Sequence, residues 1–289
     1  MTHHAFDATG PLTLDVHVTG GRLVVNATDT DVAVVTVSPH DARSDQDRQA
    51  AEQTTVRLDG SVLTVQTPRR RGIRAWLGSG PATTVVIDVP DGSSLTFRGW
   101  ADLATTGRLG DVDASSTMGD VRIEHAAAAR VSSAVGDVRV QRADADLDLR
   151  TQAGQAGCGL TLGRARLRTS AGDVELGEAH GVTELKTAAG SIRVGTSTAE
   201  LSARTASGDV RVERAESGVL RLRTHHGQVD VGVPHGTAAW LDVDTRAGVL
   251  HSELASAEAP QDDDRTVEVH VHNLSGDVHV RRHDPKETR

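Results

Sequence analysis

The chain has 289 residues, a formal net charge of −9 and 2% aromatic residues: three Trp, two Phe and no Tyr. Aromatic rings normally supply much of a protein's core and interface area. Their scarcity, with abundant Val and Thr, which favour strands, excludes an ordinary helical protein, an aromatic-lined sugar cleft and a stacking platform for single-stranded nucleic acid. The acidic charge also lacks the basic signature of sequence-specific nucleic-acid binding.

The first 95 residues predict a β-rich cap that is continuous with the rest of the chain. Six segments alternate apolar and polar residues with the period of two that is typical of strands. They are 12–18, 22–27, 32–38, 54–58, 61–67 and 83–89. The polar segment 41–53 fits either a short helix or a loop, and Pro90-Asp91-Gly92 predicts a turn.

A repeat organises the chain from residue 96 to residue 282. Its glycines stand at 119, 136, 154, 172, 190, 208, 227, 248 and 276. An apolar residue precedes most of them by five positions, a small polar residue by three, and a Val-x-Val type pair follows. The strongest copies are LRTSAGDVEL (167–176), LKTAAGSIRV (185–194) and ARTASGDVRV (203–212). A unit of about 18 residues is too short for a crossover helix. The repeat therefore predicts an all-β fold, a parallel β-solenoid (β-helix) with one unit per coil.

The apolar positions change parity across the glycine, which predicts a corner in each coil. At Gly172 and Asp173, the glycine permits a positive φ, and we expect the aspartate to bond its own local backbone. The Leu and Thr positions share one parity and are expected to point inward. In coils stacked about 4.8 Å apart, the Thr hydroxyls would then form hydrogen bonds along the stack.

Simpler features of the sequence predict the structure of the C-terminal part and the cellular compartment. The segment 251–265, with Asp262, Asp263 and Asp264, interrupts the repeat and is predicted to be a surface loop. Residues 283–289 are predicted to be a disordered tail. The N-terminal residues lack a secretory signal, no stretch reaches the length of a membrane span, and Cys158 is the only cysteine. We therefore expect a cytoplasmic protein.

Two features together resemble a known family. The segment VVIDVPDGSSL (85–95) follows an all-β N-terminal stretch, and repeats of L-x-T-x-x-G-D-(V/I)-x-(V/L) come after it. This arrangement resembles the bacterial "putative adhesin" family of unknown function, over nearly the whole chain. The resemblance implies a solenoid and no catalytic residues. The copies LRTQAGQAGC (149–158) and VDTRAGVLHS (243–252) depart from the family pattern, which predicts distorted corners there.

The outward position between the Leu and Thr columns carries a run of basic residues. We call these residues the basic column: Arg150, Arg168, Lys186, Arg204 and Arg223. The position two residues earlier carries Asp148, Arg166, Glu184, Ser202 and Arg221. Stacked like charges repel. The basic column is therefore either a solvated face that discourages sheet-on-sheet association or a binding face for a protein or an anionic polymer.

Other candidate sites carry weaker signals. One Asp per coil without Gly-Gly-x-Gly-x-Asp favours structural turns over calcium sites. The pairs His270/His272 and His225/His226 have no third ligand at a diagnostic spacing, so no metal site and no cofactor is predicted. Nucleophile-elbow, P-loop and dinucleotide motifs are absent, and Cys158 fits a small buried residue.

The sequence thus predicts a non-enzymatic binding or scaffold protein that presents repeated charged faces to a protein or an anionic polymer. Two alternatives stay open. A carbohydrate-active enzyme on a β-helix would need a groove with two convergent carboxylates and a base. A self-assembling structural protein would join end to end.

Overall fold

The computed structural model describes residues 2–68, 80–254 and 265–283. The chain divides into two compact units, Met1–Asp144 and Ala145–Arg289. Each is built mainly from stacked strands, most of them parallel to their neighbours. The predicted all-β parallel solenoid is therefore confirmed. Among the described residues, no helix is long and apolar enough to cross a membrane.

The first unit begins with a mixture of parallel and antiparallel strands. Its elements are β1 (Thr2–Asp7), β2 (Thr13–Thr28), β3 (Val32–Pro39), α1 (Asp45–Glu52), β4 (Thr55–Asp59), β5 (Val62–Gln66), β6 (Thr83–Pro90), β7 (Ser94–Met118), β8 (Val121–Val135) and β9 (Val138–Ala143). Strands are present at all six alternating segments, with shifted ends, but segments 12–18 and 22–27 form the single strand β2. Strand β1 was not predicted.

Strand β2 is a bent strand at the centre of the first unit. Its first half pairs in parallel with β5 and its second half with β6, while β7 pairs with both halves on the other side. The strands β1, β3 and β4 add antiparallel pairs to β3, β6 and β5 respectively. The bend falls at Gly21, where φ is 105° and a Cβ would lie 2.1 Å from the carbonyl oxygen of Thr83.

Helix α1 resolves the polar segment that fitted either a helix or a loop. The Ser44 hydroxyl accepts the backbone N–H of Asp47 at 3.2 Å, which caps the first turn. The Asp47 carboxylate is buried and accepts the N–H groups of Asp41 and Ala82, both at 3.0 Å. These bonds fix the short helix against the neighbouring segments.

The second unit consists of two parallel ladders of strands. Its elements are β10 (Leu147–Ala153), β11 (Ala156–Thr161), β12 (Ala165–Arg168), β13 (Val174–Ala179), β14 (Thr183–Lys186), β15 (Ile192–Ser197), β16 (Leu201–Ser207), β17 (Val210–Ala215), β18 (Gly218–His226), β19 (Val229–Pro234), β20 (Thr237–Thr245), β21 (Leu250–Ser252), β22 (Arg265–Ser275) and β23 (Val278–His283). Even-numbered strands from β10 to β22 form the first ladder, and the odd-numbered strands from β11 to β23 form the second.

The coils of the second unit do not stack in chain order at their C-terminal end. In the first ladder β22 lies between β18 and β20, and in the second ladder β23 lies between β19 and β21. The last coil, β22 with β23, is therefore an inserted coil. The preceding one, β20 with β21, is the end coil.

The predicted loop and tail overlap these last two coils. His251 and Ser252 belong to β21, Arg265 begins β22, and His283 ends β23. The rest of the predicted loop includes residues 255–264, which lie outside the described residues, as do residues 284–289 of the predicted tail.

The corners explain why the repeat needs Gly and Thr. Gly172 and Gly190 have φ of 143° and 147°, and a Cβ on Gly190 would lie 2.0 Å from the Gly172 carbonyl oxygen. The buried Thr187 hydroxyl donates to that same carbonyl at 3.0 Å. Thr169, Thr205 and Thr224 repeat this bond on the neighbouring coils. The predicted inward Thr column, bonded along the stack, is confirmed.

The corner aspartates bond differently from the prediction. Asp173 Oδ1 accepts the N–H of Ser191 on the next coil at 2.8 Å, rather than bonding its own local backbone. In the first unit, Asp120 Oδ1 likewise accepts the N–H of Asp137 at 3.0 Å. This bond, helped by Arg122, lowers the pKa of Asp120. At these two corners the carboxylate therefore links two coils.

The core of the second unit is narrow and consists of small aliphatic side chains. Leu149, Leu167, Leu185 and Ala203 are fully buried and lie in one column of the first ladder. Val174, Ile192, Val210 and Val229 form the corresponding column of the second ladder. Stacking identical positions leaves little room for a single large ring, which explains the low aromatic content.

Candidate functional site

The basic column lies on the outer side of the first ladder. Its members face one another in register on consecutive strands, in the order Arg150, Arg168, Lys186, Arg204 and Arg223. Because β22 and β20 follow β18 in space, the column continues through His272 to Asp244. The adjacent column of Asp148, Arg166, Glu184, Ser202 and Arg221 continues in the same way through His270 to Asp242.

The first two members of the basic column are neutralised by carboxylates of the same face. Arg150 donates two hydrogen bonds to Asp148, at 3.0 and 2.7 Å, and these raise the pKa of Arg150. Arg168 donates two bonds to Glu184, both at 3.0 Å, and Arg166 lies 3.6 Å from the same carboxylate. The adjacent column therefore supplies the counter-charge for this part of the face.

The other three members have no such partner. Lys186, Arg204 and Arg223 are exposed, and within the described ranges none forms an ion pair or side-chain hydrogen bond. We call these three residues the unpaired triplet. Their in-register strands lie about 4.8 Å apart, so three uncompensated cations stand within two coil spacings.

On the outer face of the second ladder, basic side chains are paired with carboxylates. Arg193 lies 3.2 Å from Asp173 and 3.5 Å from Glu175. Arg281 lies 3.1 Å from both Asp230 and Glu213. Arg193 and Arg281 are thus matched by carboxylates, unlike the three adjacent members of the unpaired triplet.

Two rows of side chains cross the end of the first ladder. One row is Arg221, His270 and Asp242, and the other is Arg223, His272 and Asp244. His270 Nδ1 lies 3.2 Å from Asp242 Oδ2, and His272 Nδ1 lies 3.0 Å from Asp244 Oδ2. A carboxylate only accepts, so each Nδ1 donates, which fixes the orientation of both rings.

These rows line a depression of about 330 Å³ on the first ladder. Its basic wall is formed by Arg204, Arg221 and Arg223. Its opposite wall is formed by Asp242 and Asp244, and His270 and His272 lie between the two walls. Beside it, the 56% exposed Trp240 packs edge-on against His270, with ring centroids 5.1 Å apart. The depression thus offers cations, carboxylates and one aromatic ring to a ligand.

The other residues considered from the sequence lie outside this depression. His225 and His226 end β18 and are exposed. Cys158 is buried, and its burial raises the pKa of the thiol to about 12. A thiol with that pKa stays protonated near neutrality and is a poor nucleophile. This agrees with its interpretation as a small buried residue.

Sequence reasoning missed the two rows because it assumed that the coils stack in chain order. That order would place Asp242 and Asp244 directly beside Arg221 and Arg223. The available signal was the lengthened interval of 28 residues between Gly248 and Gly276.

A family model matches residues 13–284 of the chain, which is nearly its whole length; its description is Toastrack DUF4097. The chain belongs to the Toastrack DUF4097 family. The resemblance predicted from the repeats is thereby confirmed. No curated protein matched this Toastrack chain in sequence.

Several solved structures are similar to this Toastrack chain. One, from Parabacteroides merdae and described as a "putative adhesin", is 9% identical, with 96% of this chain and 95% of that chain covered and a TM-score of 0.41. Another "putative adhesin", from Bacteroides fragilis, is 9% identical, with 96% of each chain covered and a TM-score of 0.34. A "putative lipid binding protein" from Parabacteroides distasonis is 8% identical, with 97% and 96% covered and a TM-score of 0.32.

Proposed function

We propose that this protein is a non-enzymatic binding protein whose second unit holds an anionic polymer. The polymer lies along the unpaired triplet of Lys186, Arg204 and Arg223 and ends in the depression beside His272. The observation that carries the proposal is the run of three adjacent cations without a counter-charge, on a chain whose net charge is −9.

Electrostatics favours an anion at this place. Three like charges about 4.8 Å apart repel one another, and the carboxylates of Asp148 and Glu184 are paired with Arg150, Arg166 and Arg168. A repeated anion with a similar spacing would neutralise all three at once. A flat ladder of this kind suits an extended polymer better than a compact small molecule.

The depression adds groups that recognise more than charge. The guanidinium groups of Arg204 and Arg223 present forked donors that match carboxylate, sulfate or phosphate oxygens, whereas Arg221 is paired with Glu200. Asp242 and Asp244 on the opposite wall can accept hydrogen bonds from hydroxyl groups. These groups together suit an acidic glycan, with its anionic substituents on the basic wall and its hydroxyls on the acidic wall.

The test is a binding titration of the full-length protein with dextran sulfate, polyphosphate and neutral dextran. We expect the two anionic polymers to bind, with an affinity that falls as salt rises, and neutral dextran not to bind. The triple variant Lys186→Gln, Arg204→Gln and Arg223→Gln should bind at least about tenfold more weakly, because three of the cationic contacts are lost.

A matched variant controls for net charge. Arg22, Arg43 and Arg57 are exposed arginines of the first unit without an ion pair among the described residues. Changing these three to Gln alters the net charge by the same amount and should leave binding unchanged. Equal weakening in both triple variants, or no binding of either anionic polymer by the wild type, would contradict the proposal.

A second candidate function is a carbohydrate-active enzyme. The observation that favours it is the depression itself, where two carboxylates, Asp242 and Asp244, each orient a histidine beside Arg221 and Arg223. A histidine held by a carboxylate is a common general base. Release of new reducing ends from an acidic glycan, abolished in His272→Gln, would support this function over binding alone.

A further inference from the structure

We infer that His251, Asp277 and His279 form a binding site for a divalent transition-metal ion. The site lies on the second ladder, where β21 of the end coil meets β23 of the inserted coil. His251 and His279 face each other in register. One ligand atom from each of the three residues lies within 4.8 Å of the other two.

The two histidine rings are free to act as ligands. They stack on each other with centroids 4.9 Å apart and an interplanar angle of 13°. Within residues 2–68, 80–254 and 265–283, neither imidazole forms a side-chain hydrogen bond or an ion pair. Both rings therefore keep a nitrogen lone pair for a metal. Their approach in register is imposed by the backbone pairing.

The carboxylate is held in place by the corner geometry described above. Asp277 Oδ1 accepts the N–H of Val249 on the end coil at 2.9 Å. The second oxygen forms no bond among the described residues and is available to a cation. A backbone bond to the first oxygen orients a ligating carboxylate in the way that outer-shell hydrogen bonds do in known metal sites.

The donor set selects the class of metal. Two imidazoles and one carboxylate suit zinc and its neighbours, whereas calcium and magnesium require oxygen donors. In a tetrahedral zinc site the ligand atoms stand roughly 3.3 Å apart, given metal–ligand distances of about 2 Å. The present separations, within 4.8 Å, would have to shorten on binding, for example by rotation of the exposed His251 side chain, and a fourth ligand would come from solvent.

The surrounding charges permit a cation. Arg281, which lies two residues beyond His279, bonds to both Asp230 and Glu213. Its positive charge is therefore matched by two carboxylates. Asp230 stands in register with His279 on the neighbouring strand, so a further acidic group lies next to the three ligands.

A metal at this place would act as a clamp on the end coil. The strand β21 has only three residues, all exposed, and pairs with β23. Coordination by His251 on one strand and by Asp277 and His279 on the other would tie the two coils together. Metal binding should therefore slow amide exchange in β21 and raise the melting temperature of the full-length protein.

The test is calorimetric titration of the full-length metal-free protein with Zn²⁺, together with the visible absorption spectrum of Co²⁺. The double variant His251→Gln and His279→Gln should lose one equivalent of Zn²⁺ relative to the wild type, and the absorption of tetrahedral Co²⁺. Asp277→Asn keeps an acceptor for the Val249 N–H and removes the charge. It should therefore lower the affinity for that Zn²⁺ ion at least about tenfold.

Other histidines bind zinc weakly, so a matched control is needed. The double variant His225→Gln and His226→Gln removes two exposed histidines at another corner of the second unit and should keep the equivalent. All variants are compared with the wild type by melting temperature without metal, which separates lost ligands from lost folding. The site is disproved if the folded His251/His279 variant binds Zn²⁺ like the wild type, or if Asp277→Asn has no effect.

Discussion

The corner residues of the second unit act on neighbouring coils rather than on their own. Gly190 lets the Gly172 carbonyl approach, Thr187 donates to that carbonyl, and Asp173 accepts the N–H of Ser191. Each coil thus contributes a space and a donor to the coil before it and an acceptor to the coil after it. A change at one corner residue therefore disturbs two coils.

The replacement Gly190→Ala should show this most clearly. Its Cβ would require a positive φ of 147° and would meet backbone atoms at 2.0 Å. We expect the free energy of unfolding to fall by about 3–5 kcal/mol, the sum of backbone strain and steric overlap. Urea unfolding followed by circular dichroism measures the change.

Gly236→Ala is the control for Gly190→Ala. Gly236 also has a positive φ, 78°, but a Cβ there would meet no atom within 4 Å. Gly236→Ala should therefore lower the free energy of unfolding only by the backbone strain, about 1–2 kcal/mol. If both variants lose the same stability, close approach of the coils is not what requires the corner glycine.

The strands of the first ladder determine which charges are available to a ligand. Glu184 on β14 neutralises Arg168 and approaches Arg166, both on β12. On β16 the equivalent position is Ser202, which carries no charge, and there the unpaired triplet continues. One carboxylate therefore separates the neutralised part of the face from the part that we propose binds an anion.

The variant Glu184→Gln should extend the binding face. It releases Arg166 and Arg168 from their carboxylate, so the affinity for dextran sulfate should rise roughly threefold, in keeping with the modest strength of exposed ion pairs. The measurement is the same titration as above. Glu178→Gln, an exposed change on the second ladder, matches the charge and should have no effect. Unchanged affinity in Glu184→Gln would show that the polymer lies elsewhere.

Several elements could be predicted from the sequence, because each corresponds to a residue type that recurs at a fixed position of the repeat. The Leu, Thr and Gly columns and the register of the basic column follow from one residue type recurring at one position. The helix at Asp45–Glu52 was left open because its segment has no apolar face that distinguishes a helix from a loop. The ion pairs of Arg150 and Arg168 depend on side-chain conformations, which the repeat does not determine.

Within the second unit, the order of the coils could not be predicted from the sequence. The repeats look alike, and the lengthened interval before Gly276 marks a break in the repeat. That interval does not say that β22 pairs with β18 and β20 rather than following β20. The depression depends on this order, because only the inserted coil places His270 and His272 beside Arg221 and Arg223. The pairing of β23 with β21, which brings His251 and His279 together, would arise in either order.

Hydrogen exchange should reveal the inserted coil. Strand β22 pairs on both sides, with β18 and β20, whereas β20 pairs only with β22 among the described residues. We expect amides of β22, such as those of Val269 and Val271, to exchange more slowly than those of Leu241 and Val243 in β20. Mass spectrometry of peptides after deuterium labelling measures both. Faster exchange in β22 would contradict the observed order.

The inserted coil also has a consequence for synthesis on the ribosome. A solenoid with coils in chain order can grow by adding each new coil to the last one. Here Leu241 and Val243 emerge first and resemble Val269 and Val271, which occupy the positions against Leu220 and Leu222 in the finished protein. The nascent chain therefore exposes an edge that its own earlier segment fits. During folding, the edge of β18 must therefore stay unpaired, or exchange β20 for β22, until β22 has been synthesised.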